Sequence, residues 1–268
     1  MSKTTESASH HDHLDRMSAR ELVTAMNAED ATVAAAVERA LPVIARVVEV
    51  ATDRLLSGGR IFYLGAGTSG RLGVIDASEC PPTFGVSHDL VIGLIAGGDG
   101  AIRVAVEFAE DDEALGWRDL QDHDVSPADL VVGLAASGTT PYVVGALRRC
   151  RDHGITTACI TCNHHTPLAQ HADHPIEVVV GPEVVTGSTR LKAGTAQKMV
   201  LNMISTGAMV GIGRVRGNKM VDMRLSNQKL RERGTRMVME ATGVDDETAR
   251  TALLAAGSVR RAIDELKN

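Results

Sequence analysis

Ile61-Phe62-Tyr63-Leu64-Gly65-Ala66-Gly67-Thr68-Ser69-Gly70-Arg71 reads as a short apolar strand that turns through glycines and opens a helix. The pattern is formally G-x-G-x-x-G between a strand and a helix, the fingerprint of dinucleotide-binding folds. That fingerprint wants an acidic residue near the end of the next strand, about 20 residues on, to hold a ribose. Here the next apolar run ends in Ala96-Gly97-Gly98, with Asp99 only beyond it. The turn instead offers two hydroxyls, Thr68 and Ser69, beside the amides of a helix N-terminus. Hydroxyls and free amides make a cradle for a phosphate monoester without any positive charge.

The same kind of run recurs at Leu90–Ala96, Leu130–Ala135, Thr156–Thr161 and Ile176–Val180. Helical stretches are expected near 70–78, 101–109, 141–153 and 165–171. Apolar residues at helical spacing fill 31–57 and stop at Gly58-Gly59, and 194–213 reads as a long, largely buried helix. Strands that are continuously apolar and separated by helices argue for a parallel sheet covered on both faces. The expected fold is therefore α/β: a three-layer, doubly wound, mainly parallel sheet of five strands, with a small C-terminal helical appendage. Residues 1–30 read as an N-terminal arm and helix, 31–240 as the ligand-binding domain, and 241–268 as a short helical segment. His10, His11 and His13 lie in that arm, which is expected to be disordered or loosely docked rather than a metal tract.

The third run ends in a second hydroxyl loop, Ala135-Ala136-Ser137-Gly138-Thr139-Thr140, with Pro141 placed to open a helix. In an open parallel sheet, ligands sit beyond the carboxyl ends of the strands, so two such loops can grip one phosphate together. A third polar block, Gly181 to Lys198, follows the fifth run and leads into the buried helix. The phosphate and substrate candidates are Gly67, Thr68, Ser69, Gly70, Ser137, Gly138 and Thr140, with Glu183, Ser188, Thr189 and Lys192 as a wall of the site.

Composition narrows the function class. Net charge is −6, 44% of residues are hydrophobic, and the aromatics are three Phe, two Tyr and one Trp. So few aromatics and an acidic balance speak against a nucleic-acid partner. No apolar run is long enough to cross a bilayer, and the polar N-terminus shows no secretory h-region. Four cysteines in 268 residues are too few for a disulfide framework, which favours a reducing, cytoplasmic compartment. Cys159-Ile160-Thr161-Cys162 lies at a strand end, not at the helix N-terminus that a redox pair needs. With His164 and His165 it would crowd four donors into seven residues, so structural cysteines are expected rather than a zinc site.

The two Ser/Thr loops resemble the sugar isomerase (SIS) phosphosugar-binding domain. The strings DASECPPTFG (76–85), IGLIAGG (92–98), GPEVVTGSTRLKAGTAQK (181–198) and NKMVDMRLSNQKLRER (218–233) are more specific. They resemble the N-acetylmuramic acid 6-phosphate etherase family, and the similarity runs from about Leu14 to about Gly243. The C-terminal piece resembles a shortened version of that family's small helical domain. Thr139 stands where the family usually has Arg, and Ser7-Ala8 where it usually has Arg-Asn.

The resemblance implies removal of D-lactate from C3 of a phosphorylated amino sugar. An alkoxide is a poor leaving group, so direct hydrolysis is slow; ring opening exposes an aldehyde that acidifies the C2 proton. A base takes that proton, an acid protonates the departing oxygen, and water adds back. Two proton-transfer groups suffice, with no metal or organic cofactor. Two carboxylates fit by setting. Glu79 precedes Cys80-Pro81-Pro82 and is expected just past the end of the first crossover helix. Glu110 lies in Glu107-Phe108-Ala109-Glu110-Asp111-Asp112-Glu113, expected to end the next helix. The crowded like charge suits a group that holds and releases protons near neutrality, while Asp111, Asp112 and Glu113 read as solvated surface. By resemblance Glu79 matches the proton donor to lactate and Glu110 the base at C2, with Glu183 a third candidate for ring opening. The resemblance also implies a homodimer. A non-catalytic sugar-phosphate sensor and an aldose–ketose isomerase are the alternatives; each could keep the phosphate loops.

Overall fold

The architecture described here is that of a computed structural model covering residues 4–267. Two helices lead in, α1 (Ala19–Asp30) and α2 (Val33–Leu56), followed by β1 (Ile61–Gly65) and α3 (Gly67–Phe84). Then come β2 (Val91–Ile95), α4 (Leu115–Asp122), β3 (Leu130–Leu134), α5 (Pro141–Asp152) and β4 (Thr156–Thr161). A single helical turn, α6 (Pro167–Gln170), leads to β5 (His174–Glu177) and the long α7 (Lys192–Gly211). The chain closes with α8 (Gln228–Thr242), α9 (Asp246–Ala256) and α10 (Val259–Lys267).

The sheet has the order β2-β1-β3-β4-β5 and every pairing is parallel, as expected. Strand alternation divides the core. Ile61 and Tyr63 join α2, α3 and α7 on one face, whereas Phe62 and Leu64 join α4, α5 and α6 on the other. Burial on both faces is why β1 and β3 read as unbroken apolar runs. The chain goes from β1 to β2 on one side, while β3 lies on the other, so the switch in strand order falls between β1 and β3.

A third apolar cluster gathers Val221, Met223, Val238, Leu253, Val259 and Ile263 from α8, α9, α10 and the segment before them. It sits against the end of α3: Arg224 N donates to Pro82 O at 3.1 Å, and the Arg224 guanidinium donates to Val86 O at 3.2 Å. Among the described residues no helix is long and apolar enough to cross a membrane.

Three local expectations are corrected. Residues 101–109 form no α-helix; a 3₁₀ turn at Asp99–Ile102 and another at Ala109–Asp111 bracket an exposed stretch, and the helix of this crossover is α4. Val104, Val106 and Phe108 stay exposed there, so helical apolar spacing found no surface to bury. Second, α3 runs through Pro81 and Pro82 to Phe84 instead of stopping before them. The prolines remove two N–H donors, yet Ala77, Cys80, Pro81 and Phe84 form a buried face that holds the turn, and Gly85 at φ 66° ends it. Third, the arm is docked. Thr5 is fully buried, Thr4 Oγ1 donates to Asn163 Oδ1 at 2.9 Å, and Ser9 Oγ donates to Val184 O at 2.8 Å.

Candidate functional site

Both hydroxyl loops emerge at the same edge, because Gly65 and Leu134 are register partners at the carboxyl ends of neighbouring strands. In the first loop Ala66 is the N-cap of α3 and no side chain caps the helix. Gly70 N donates to Ala66 O at 3.1 Å, so the amides of Gly67, Thr68 and Ser69 are left to face an anion. Gly70 has to be glycine: a Cβ there would lie 2.7 Å from Gly65 O and from the Ile95 side chain. The second loop also opens on an uncapped N-cap, Thr140, but Pro141 has no N–H and Val143 N donates to Thr140 O at 3.1 Å, so α5 leaves fewer amides free. Gly138 holds φ 70°, and a Cβ on it would fall 2.4 Å from the Thr166 side chain. Two helix N-termini without side-chain caps at one switch point present backbone dipoles of the sign that suits an anion.

The hydroxyls do not all face that site. Ser69 is buried and its Oγ donates to Gln197 Oε1 at 2.9 Å, so Ser69 offers its amide. Ser137 Oγ accepts from Thr139 N and Thr139 Oγ1, both at 3.2 Å, which leaves its own proton to be donated outward. Thr68 reaches the third polar block, its methyl lying 3.5 Å from where a Cβ on Gly194 would stand.

That third block serves mainly to hold α7. Glu183 is 1% exposed, and its carboxylate accepts the amides of Lys192 and Ala193, each at 2.9 Å. Glu183 therefore caps α7 and takes the first-turn donors that the other two helices leave open. Lys192 is also buried, and its ammonium pairs with Glu29 of α1. That bond, with His11 Nε2 at 3.1 Å from the same carboxylate, holds the Glu29 carboxyl below the usual range despite burial. Ser188 and Thr189 are half-buried, and their backbones turn the chain into α7: Ser188 N donates to Val185 O, and Thr189 O accepts from Gly194.

Glu110 is exposed on the 3₁₀ turn Ala109–Asp111 and lines a cleft with Ala66, Gly67 and Arg71. Its acidic neighbours are engaged elsewhere: Asp112 pairs with Arg118, and Glu113 with Arg148 at 2.9 Å. Glu79 is exposed in the last turns of α3, not beyond the helix. It lies twelve positions after Gly67, roughly 18 Å at helical rise. The structure thus places Glu110 across the cleft from the start of α3 and Glu79 well down that helix.

Four residues that sequence reasoning passed over shape the site. Asp76 is buried three residues before Glu79, and its Oδ1 accepts Asn202 Nδ2 at 2.7 Å and Ser205 Oγ at 3.1 Å, locking α3 to α7. Burial pushes its carboxyl up, against these hydrogen bonds. Its helical spacing to Cys80 and Phe84 was the available signal. Asn163 bridges the arm and the second loop, donating to Ala136 O at 3.2 Å and Ser137 O at 3.3 Å. Gln197 and Arg71 had no signal beyond lying inside motifs. The four cysteines are all buried, and burial pushes each thiol up to about 12.

Comparison with known proteins gives consistent findings. Residues 42–151 match the glucokinase regulatory protein N-terminal SIS domain, 102–207 match the SIS domain, and 217–266 match the C-terminal lid domain of glucokinase regulatory protein. An N-acetylmuramic acid 6-phosphate etherase of Christiangramia forsetii is 58% identical over 267 residues, covering 100% of this chain and 97% of that one. The Erwinia tasmaniensis etherase is 60% identical over 243 residues, covering 91% of this chain and 79% of its own. Among solved structures, a phosphoheptose isomerase from Neisseria gonorrhoeae superposes with a TM-score of 0.55 at 14% identity, over 71% of this chain and 98% of that one. At that identity the likeness speaks for the fold alone.

Proposed function

The chain belongs to the N-acetylmuramic acid 6-phosphate etherase family, and from that membership we propose how its cleft removes D-lactate from the C3 ether of this sugar phosphate. The products are N-acetylglucosamine 6-phosphate and D-lactate. The observation that carries the reading is near-complete coverage by etherases at 58% identity, joined to Glu110 beside the uncapped start of α3.

The 6-phosphate sits between the two loops, on the free amides of Gly67, Thr68 and Ser69 and the hydroxyls of Ser137 and Thr140. Once the ring opens, Glu110 takes the C2 proton, whose acidity comes from the C1 aldehyde. Glu79 gives a proton to the C3 ether oxygen as the carbon–oxygen bond breaks and lactate leaves. The unsaturated aldehyde then takes water at C3 and a proton at C2, the same groups acting in reverse.

C2 and C3 are adjacent, so both carboxyls must come within hydrogen-bond reach of neighbouring atoms. Within one chain Glu79 lies eight residues beyond Arg71, the nearest α3 residue lining the cleft that Glu110 lines, or roughly 12 Å along the helix. The reading therefore calls for a two-fold dimer in which one copy presents Glu79 to the other's cleft. Ile75, one turn before Glu79 and 56% exposed, supplies an apolar contact for such a partner. Buried thiols accord with a reducing cytoplasm as the place of work.

The test is direct. Purified protein given N-acetylmuramic acid 6-phosphate should release D-lactate in step with N-acetylglucosamine 6-phosphate. Binding without release would favour the sensor reading, and an isomerised sugar the isomerase.

A further inference from the structure

Arg71 is the fifth residue of α3 and lines the same cleft as Gly67, Glu107 and Glu110. Its side chain leans toward the β2 side of the switch point, where Nε donates to Ile102 O at 2.9 Å and Nη2 donates to Ala101 O at 2.8 Å. Both carbonyls belong to the 3₁₀ turn that follows β2, so two donors fix the guanidinium while others remain for a ligand. Among the described residues no carboxylate pairs with it, and it is the cation in a cleft lined by two exposed glutamates. A guanidinium held on its scaffold by two backbone carbonyls is preorganised to receive a planar anion.

The substrate carries two anions at opposite ends of the sugar, the phosphate on C6 and the carboxylate of the lactyl group on C3. The phosphate loops follow β1 and β3, and Arg71 reaches to the other flank, over the end of β2. A sugar whose phosphate sits in the β1/β3 crevice and whose C2 proton faces Glu110 puts its C3 substituent on that flank. We propose that Arg71 binds the lactyl carboxylate and so selects the lactyl ether over the same sugar without it. This rests on the etherase reading above and adds the residue that reads the leaving group. It also predicts that released D-lactate lingers on Arg71 and competes with substrate.

The experiment changes both protein and ligand. Wild type, Arg71→Gln and Arg71→Lys are assayed with N-acetylmuramic acid 6-phosphate and with its lactyl methylamide, which lacks the charge. Inhibition by N-acetylglucosamine 6-phosphate, which keeps the phosphate and lacks the lactyl group, is measured alongside. The expected result is a rise in KM for the acid of roughly 10- to 100-fold in Arg71→Gln, the range for a lost charge-assisted pair. Arg71→Lys should recover part of it. The methylamide should be bound equally by wild type and Arg71→Gln, and the inhibition constant of N-acetylglucosamine 6-phosphate should stay within about twofold. If Arg71→Gln weakens that lactyl-free sugar as much as the substrate, Arg71 serves the phosphate or merely holds the 101–102 turn, and the proposal is overturned. Failure of the wild type to release lactate at all would instead sink the etherase reading, a separate outcome.

Discussion

The carboxylate of Glu183 accepts the backbone amides of Lys192 and Ala193, both at 2.9 Å, and closes the N-terminus of α7 at the edge where α3 and α5 leave theirs open. One of three helix starts is thereby sealed by protein, and the other two have no side-chain cap.

Glu183→Ala should accordingly act on stability first. Two buried amides lose their acceptor, at a cost of about 1–3 kcal/mol each. Thermal denaturation should show a lower Tm, with Glu183→Gln recovering part of it. A Glu183→Ala protein of unchanged Tm and abolished turnover would instead mark Glu183 as a chemical participant.

The two glutamates should separate under deuterium. Glu79→Gln keeps its volume but delivers no proton to the ether oxygen, so C2 exchange with solvent persists while lactate release falls about 10²–10⁴-fold. Glu110→Gln should lose both, because proton abstraction comes first. Proton NMR of the substrate in deuterium oxide reads the difference; wild-type exchange in Glu110→Gln would remove Glu110 as the base.

Mixing the two dead variants tests the shared site. If Glu79 and Glu110 act from different copies, re-equilibrated mixtures of Glu79→Gln and Glu110→Gln regain about a quarter of wild-type activity, since half the dimers hold one complete site of two. Action from a single chain predicts no recovery.

The serines of the two loops should behave differently. Ser137→Ala removes an outward-facing hydroxyl and should weaken substrate binding by about 1.5–3 kcal/mol, with little change in Tm. Ser69→Ala breaks the buried bond to Gln197 at 2.9 Å and should lower Tm while its amide still serves the phosphate. Equal effects on KM in the two variants would contradict this division.

Asp129 gives a pH signature. Burial opposes its charge, but the Arg60 side chain and the amides of Ser126 and Arg60 more than compensate and hold its carboxyl below the usual value. A folded-state value below the unfolded one, about 3.9, means the stabilisation is complete above that pH and is lost as pH falls through the folded value. Asp129→Asn should lose about 1–3 kcal/mol near neutrality. Its stability should also decline less steeply in acid than wild type, as read by urea midpoints from pH 6 to 3.

Much of the fold was legible because it is written locally. Apolar runs around Phe62 and Val132, and a shorter one flanked by threonines around Cys159, announce buried parallel strands, and hydroxyls between a strand and a helix announce open amides. Glu110 stood out by its crowded like charge and by resemblance, and the helix expected to carry it is a 3₁₀ turn instead. What tertiary structure alone decided are the partnerships between distant residues. Thr5 meets Asn163 across 158 positions and turns a polar leader into a docked arm; Lys192 meets Glu29 across 163 and becomes a buried strut. Ser69 spends its hydroxyl on Gln197, and Pro81-Pro82 stay helical because Ala77, Cys80 and Phe84 are packed from outside the helix. Spacing along the chain encodes propensity and periodicity, whereas the partner that consumes a hydroxyl or pairs a lysine is fixed only when the folded backbone brings the two within hydrogen-bond range.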